Sequence, residues 1–162
     1  MKKFLLVVVA AMFATGAFAQ DWSAGLRVGS GLQAVGQYQV DSNNYVEGRL
    51  GMSWANYGGD LTVDFTALYN WNLADFDWTP SVGAWFLDAG AGINVGGVSN
   101  YAYVGVALMA RLGIKFNNAP FSLSIDWTPT FGPEIFYYKG DSAADFHAHG
   151  LANLGLTGTF YF

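Results

Sequence analysis

His147-Ala148-His149 is the spacing in this chain that comes nearest to a chemical site. Residues i and i+2 of a strand share a face, so both imidazoles, beside Asp145 or Asp141, could hold a divalent metal or provide a catalytic histidine. The pattern offers no third ligand, and the nearest hydroxyl in sequence is Ser142. No catalytic, metal or cofactor residue is therefore assigned. The other chemistry-bearing residues are scattered: Arg27, Arg49, Arg111 and Lys115 against Glu47, Asp64, Asp88 and Asp126. Asp64 and Asp88 could form a carboxylate pair for acid/base work. Balanced as they are by basic residues, they are expected instead to be ion-paired partners of the arginines. The chain has no Cys, which removes disulfides and thiolate metal sites, and its formal charge of −5 excludes a basic nucleic-acid binder.

The elements that must position these groups have a period of two. From Leu61 to Trp71 every odd residue is apolar, with Thr62, Asp64, Thr66 and Asn70 between them. The same alternation marks Trp22–Val28, Leu32–Val40, Val46–Trp54, Trp85–Val95, Ala102–Phe116, Phe121–Trp127 and Leu151–Phe162. Eight strands are expected. The apolar face survives each turn, including Gly29-Ser30-Gly31 and Asn117 to Pro120, as antiparallel hairpins demand. Residues 1–19 read differently: Lys2 and Lys3, an apolar run from Phe4 to Ala14, then Ala17-Phe18-Ala19. That is the pattern of a cleavable signal peptide, too short to span a bilayer as a helix, and it leaves 20–162 as the one domain.

Only 12% of residues are charged, against about a quarter in soluble domains. The polar face is rich in Gly and poor in Lys and Glu, which suits a narrow interior better than a solvated surface. Aromatic residues gather toward strand ends: Trp22, Tyr38, Tyr69, Trp71, Trp85, Phe116, Phe121, Phe160 and Phe162 at one end, Trp54, Tyr57, Tyr101 and Trp127 at or near the other. Such girdles mark the two interfaces of a bilayer. An open sheet edge cannot lie in hydrocarbon, so the strands must close. The expected fold is all-β, a closed antiparallel eight-stranded up-and-down transmembrane β-barrel. The eight charges, with Phe86, Tyr103 and Met109, would face its lumen and plug it.

Ala24-Gly-Leu-Arg-Val-Gly29, Leu123-Ser-Ile-Asp-Trp-Thr-Pro129 and Gly155-Leu-Thr-Gly-Thr-Phe-Tyr-Phe162 resemble segments of the small outer-membrane barrels of Gram-negative bacteria, the OmpA/OmpX/opacity-like group. Phe160 and Phe162 resemble the signal read by the outer-membrane assembly machinery, although Thr157 stands where the usual pattern has Gly. The resemblance implies an outer-membrane location, contact with lipid and lipopolysaccharide, and both termini in the periplasm. A monomer is expected, with no cofactor and no nucleic-acid partner. Thr130 to Gly150 is then the longest outer loop. Its Phe136, Tyr137, Tyr138, His147 and His149 are candidates for contacting an extracellular ligand. The function expected is structural or surface-interacting. The alternatives are a lipid-modifying barrel enzyme using the loop histidines, whose usual His-x-Ser pair is absent here, and a narrow small-solute pore.

Overall fold

The computed structural model describes residues 21–53, 61–98, 101–138, 141–149 and 151–162, and in them the alternating segments form ten antiparallel strands. They are β1 (Trp22–Gly29), β2 (Gly31–Gln39), β3 (Asn44–Ser53), β4 (Thr62–Thr79), β5 (Gly83–Val98), β6 (Tyr101–Phe116), β7 (Phe121–Trp127), β8 (Thr130–Tyr138), β9 (Asp141–His149) and β10 (Leu154–Tyr161). No helix occurs among the described residues. Residues 1–19, with Trp54 and Tyr57, lie outside them.

Ten strands make eight staves. β1 to β6 are six of them; β7 with β8 forms the seventh, and β9 with β10 the eighth. The β5–β6 pairing closes the ring. Tracing ladder partners from Val28 one way reaches Ala102 on β6 through Leu32, Met52, Val63 and Gly97. The other way, through Leu156 and Ile125, it reaches Leu112. The two arrivals lie ten residues apart on β6, which is the shear of the barrel. With about 3.3 Å of rise per residue and about 4.8 Å between strands, eight staves and that shear give a tilt of roughly 40° and a backbone radius of about 8 Å. Such an interior is only wide enough for side chains. The first and last described segments meet at one end, the termini end, where the Phe162 N–H donates to the Trp22 carbonyl at 3.1 Å. This termini end also holds the turns after β2, β4 and β6, and the opposite, hairpin end holds Gly29–Gly31.

The stretch expected as one long loop is instead a hairpin, β8–β9, with nine ladder pairs. Proline lacks the N–H a ladder needs, and Pro129 and Pro133 fall just before and within this stretch. Yet β8 continues β7 in the same register: Trp127 pairs with Ala110 and Thr130 with Ala107, and the Leu108 N–H donates to the Pro129 carbonyl at 3.0 Å. Gly132 and Pro133 fall where the ladder to β6 lapses, as a residue without an N–H demands, and pairing resumes at Glu134. Phe136, Tyr137 and Tyr138 belong to β8 and His147 and His149 to β9, but their side chains lie outside the described residues.

Alternation puts the greasy side out. Leu26, Leu50, Val63, Ile93, Val106 and Ile125 are each more than half exposed, while Arg27, Glu47, Arg49 and Asp126 are 0–1% exposed. A water-soluble fold does the reverse. Trp22–Tyr38, Tyr69–Trp71, Phe116–Phe121 and Phe121–Phe160 ring contacts, at 4.9 to 6.0 Å, gather toward the termini end. At the other end the expected girdle is not formed by Tyr101 or Trp127. Tyr101 is 7% exposed and turned inward because it shares parity with Arg111. Trp127 sits midway along its stave, opposite Ala110, and its indole N–H donates to the Leu151 carbonyl at 2.7 Å.

Candidate functional site

At mid-height the interior is crossed by a belt of charge. Arg27 (β1), Glu47 and Arg49 (β3), Arg111 (β6) and Asp126 (β7) alternate inward from strands on opposite sides of the barrel. Only a guanidinium on a long stem bridges an interior of this width, and its fork can meet two carboxylates at once. Arg27 Nε donates to Asp126 Oδ1 at 2.8 Å, and Arg49 Nη1 reaches the same oxygen at 3.2 Å. Arg49 Nε is bonded to Glu47 Oε1. Arg111 forks onto Glu47, with Nη1 to Oε2 at 2.7 Å and Nη2 to Oε1 at 2.9 Å. The remaining oxygen positions are filled as well. Gln37 Nε2 donates to Glu47 Oε2 at 2.6 Å, and Thr157 Oγ1 to Asp126 Oδ2 at 2.7 Å.

Two further carboxylates join the belt through neutral relays. Arg27 Nη1 donates to Gln33 Oε1 at 3.3 Å, and Gln33 Nε2 donates to Asp64 Oδ2 at 2.7 Å. On the termini side Arg111 Nη1 donates to the Tyr45 hydroxyl at 2.8 Å, which donates to Asp88 Oδ2 at 2.7 Å. Asn72 Nδ2 completes Asp88 at 3.2 Å. The expectation that Asp64 and Asp88 pair directly with arginines is thus corrected. Although Asp88 and Arg111 are ladder partners, the Tyr45 hydroxyl stands between them in the bonding, and neither carboxylate has a basic nitrogen within 4.0 Å among the described residues. Nor do the two approach each other as an acid/base dyad. Lys115 is exposed at the termini mouth, with Nζ 5.4 Å from the Phe86 ring centroid and 6.0 Å from that of Tyr161.

Glycines clear space for these long side chains. A Cβ on Gly155 would run into the Arg27 guanidinium, and one on Gly96 would lie 2.6 Å from the Tyr103 hydroxyl. Leu68, Ala107 and Met109 form an apolar cluster beside the belt. Phe86 and Tyr103 are buried, as their parity predicts.

Glu134 falls within the Thr130 to Gly150 stretch expected as an outer loop, and the structure places it inside the barrel. It is fully buried on β8 and accepts from the Tyr101 hydroxyl at 3.0 Å. The relays Gln33, Gln37 and Tyr45, with Thr128 and Asn153 beside the arginines, are the functional neighbours that charge alone could not find. Inward parity was their only signal. On β9, His149 pairs with Thr130, His147 with Gly132 and Asp145 with Glu134. No group of three metal-ligating side chains occurs among the described residues. Phe160 is 48% exposed on the outer face of β10, and Phe162 follows that strand.

Every carboxylate oxygen of Glu47 and Asp126 already accepts at least one hydrogen bond. Neither is left free to take a proton from a substrate. What the belt can do is close the lumen and hold opposite walls at fixed separation. Compared with known proteins, the chain matches no family model, no curated sequence and no solved structure.

Proposed function

We propose that this chain is an integral outer-membrane β-barrel of a Gram-negative bacterium, with a structural or surface-interaction role and no enzymatic activity. The observation that carries this reading is the inversion of the barrel wall: large aliphatic side chains outside, charged and hydrogen-bonded ones inside. In water the contiguous apolar exterior would far exceed the few hundred Å² that monomers tolerate. In hydrocarbon it needs no cover, and a closed ring leaves few backbone groups unpaired at a cost of several kcal/mol each. Residues 1–19 act as the cleaved signal peptide, and Phe160 and Phe162 address the chain to the assembly machinery. Lipid and lipopolysaccharide surround a monomer.

With the termini end in the periplasm, the β8–β9 hairpin stands on the outer surface. β9 has no ladder partner on its second edge among the described residues, and Phe146 on it is 72% exposed. Both features suit contact with another molecule. The belt opposes the pore alternative. Planar-bilayer recordings of the purified barrel are expected to give no reproducible conductance. Substituting His147 and His149 by Ala is expected to leave the lipid A mass spectrum unchanged. The primary test is a membrane fractionation with unboiled and boiled samples on one gel. Recovery with the outer membrane and a heat-dependent mobility shift are expected; a detergent-free soluble chain without that shift overturns the reading.

A further inference from the structure

The register of the β8–β9 hairpin supplies what the sequence spacing lacks, a third metal ligand. Ladder partners share a face. Glu134 opposite Asp145, Gly132 opposite His147 and Thr130 opposite His149 therefore stand on one side of the hairpin. Burial identifies that side. Thr130 and Glu134 are buried, whereas Phe146, at the alternate parity on β9, is exposed. Asp145, His147 and His149 thus occupy inner-face positions of β9, on the face that Glu134 shares.

Strand geometry decides which of these residues belong together. Ladder partners have Cα atoms about 5 Å apart, residues two apart on a strand about 7 Å, and diagonal neighbours about 8 Å. Glu134, Asp145 and His147 are related in those three ways, so their backbone positions form a compact triangle. Side chains of such lengths can close around one ion with bonds of about 2 Å. His149 is four residues from Asp145, about 13 Å along the strand, and lies beyond that reach.

The chemistry agrees with the placement. Two carboxylates set opposite each other on one face repel, and a divalent ion between them turns the repulsion into attraction. The imidazole adds a nitrogen donor, which suits Zn²⁺ and its transition-metal neighbours better than Mg²⁺ or Ca²⁺, whose ligands are oxygens. Glu134 is also oriented from behind: its Oε1 accepts from the hydroxyl of Tyr101 on β6 at 3.0 Å. Outer bonds of that kind fix a ligating carboxylate.

We propose that Glu134, Asp145 and His147 bind one divalent transition-metal ion of the Zn²⁺ type on the inner face of the β8–β9 hairpin. The ion would tie together two strands of which β9 has no ladder partner on its second edge among the described residues. Three protein ligands leave a fourth tetrahedral position for water or for a group brought by another molecule. The site rests on the strand register and not on what surrounds the barrel.

The test is calorimetric titration of Zn²⁺ into the purified, chelator-stripped barrel in non-ionic detergent, as wild type, Glu134→Gln, His147→Ala and His149→Ala. Folding of each is checked by circular dichroism. One Zn²⁺ per chain is expected for wild type and His149→Ala. Glu134→Gln and His147→Ala are each expected to weaken binding at least about tenfold, an effect that even outer-shell substitutions reach. If Glu134→Gln does not fold, Asp145→Asn removes the opposing carboxylate and is read in the same way. A folded wild type that binds no Zn²⁺ overturns the site. Binding that survives both ligand substitutions is an adventitious ion only and overturns it too. Binding lost in His149→Ala and kept in Glu134→Gln assigns the metal to the His-x-His pair and overturns the proposed set.

Discussion

The belt and the hairpin-end half of the lumen are both lined with polar side chains, yet they are tied differently. Belt contacts run across the barrel: Arg49 on β3 reaches Asp126 and Thr128 on the opposite stave, and Arg111 on β6 reaches back to Glu47 on β3. Hairpin-end contacts run mostly sideways. Asn94 Nδ2 donates to Thr66 Oγ1 on the next strand at 2.7 Å, and Tyr101 serves Glu134 on its ladder neighbour. Asp64 is held by Gln33, two staves away. Cross-lumen ties fix the shape of the cross-section, whereas sideways ties repeat what the backbone ladder already enforces. The belt is therefore the part of the interior whose removal should be felt by the whole barrel.

The sharpest way to break that contrast is Asp126→Ala. It strips an acceptor from Arg27, Arg49 and Thr157 together, leaves Arg27 with no carboxylate partner, and leaves Arg49 and Arg111 to share Glu47. Removing one partner of a buried ion pair costs about 3–5 kcal/mol. Urea unfolding of the barrel in lipid vesicles should show a loss of that size, and a loss below about 1 kcal/mol would mean the belt is ornamental. Gly155→Ala comes next. Its methyl would push the Arg27 guanidinium off Asp126, an overpacking expected to cost about 1–3 kcal/mol in the same assay.

How much of this contrast the sequence announced depends on the residue. Strand parity placed Arg27, Glu47, Arg49, Asp64, Asp88, Arg111 and Asp126 on one face, because a period of two needs only neighbours along the chain to be read. It could not say which charges touch. Pairing across an interior depends on shear and on side-chain reach, so Tyr45 and Gln33 as relays were invisible. The same limit explains β8. Pro129 and Pro133 look like stops, and only the pairing with β6 on either side of them shows that the strand continues past both. Tyr101 failed for another reason: an aromatic near a strand end suits an interface equally well from either face, and the parity shared with Arg111 had to outrank position.

A milder test of the same contrast is Asp64→Asn. Its partner Gln33 presents both a donor and an acceptor, so the amide can be accommodated by rotation. The expected loss is about 1 kcal/mol or less, the worth of one neutral hydrogen bond. A cost approaching that of Asp126→Ala would show that the hairpin-end half is as rigidly held as the belt, and the distinction between cross-lumen and sideways ties would fall.

Asp41 supplies the smallest effect and the cleanest sign. It lies in the turn between β2 and β3, fully exposed, and its bonds reach no farther than three residues along the chain. The Asn44 side-chain amide, at 2.7 Å from Oδ2, is the main cause that holds its carboxyl below the usual carboxylate range, followed by the Asn43 backbone N–H at 2.8 Å from Oδ1. A depressed carboxyl favours the folded turn above the ordinary carboxylate pKa, and that advantage disappears as pH falls through the folded value. The carbon-13 carboxyl signal of Asp41 should titrate lower in the folded barrel than in the unfolded chain. Asn44→Ala should move it upward while leaving the urea midpoint of the barrel unchanged, since the Asn44 side-chain amide bonds to Asp41 within the turn and makes no tie across the lumen. A midpoint that moved with Asn44 would mean that strand ends, and not the belt, set the stability of this fold.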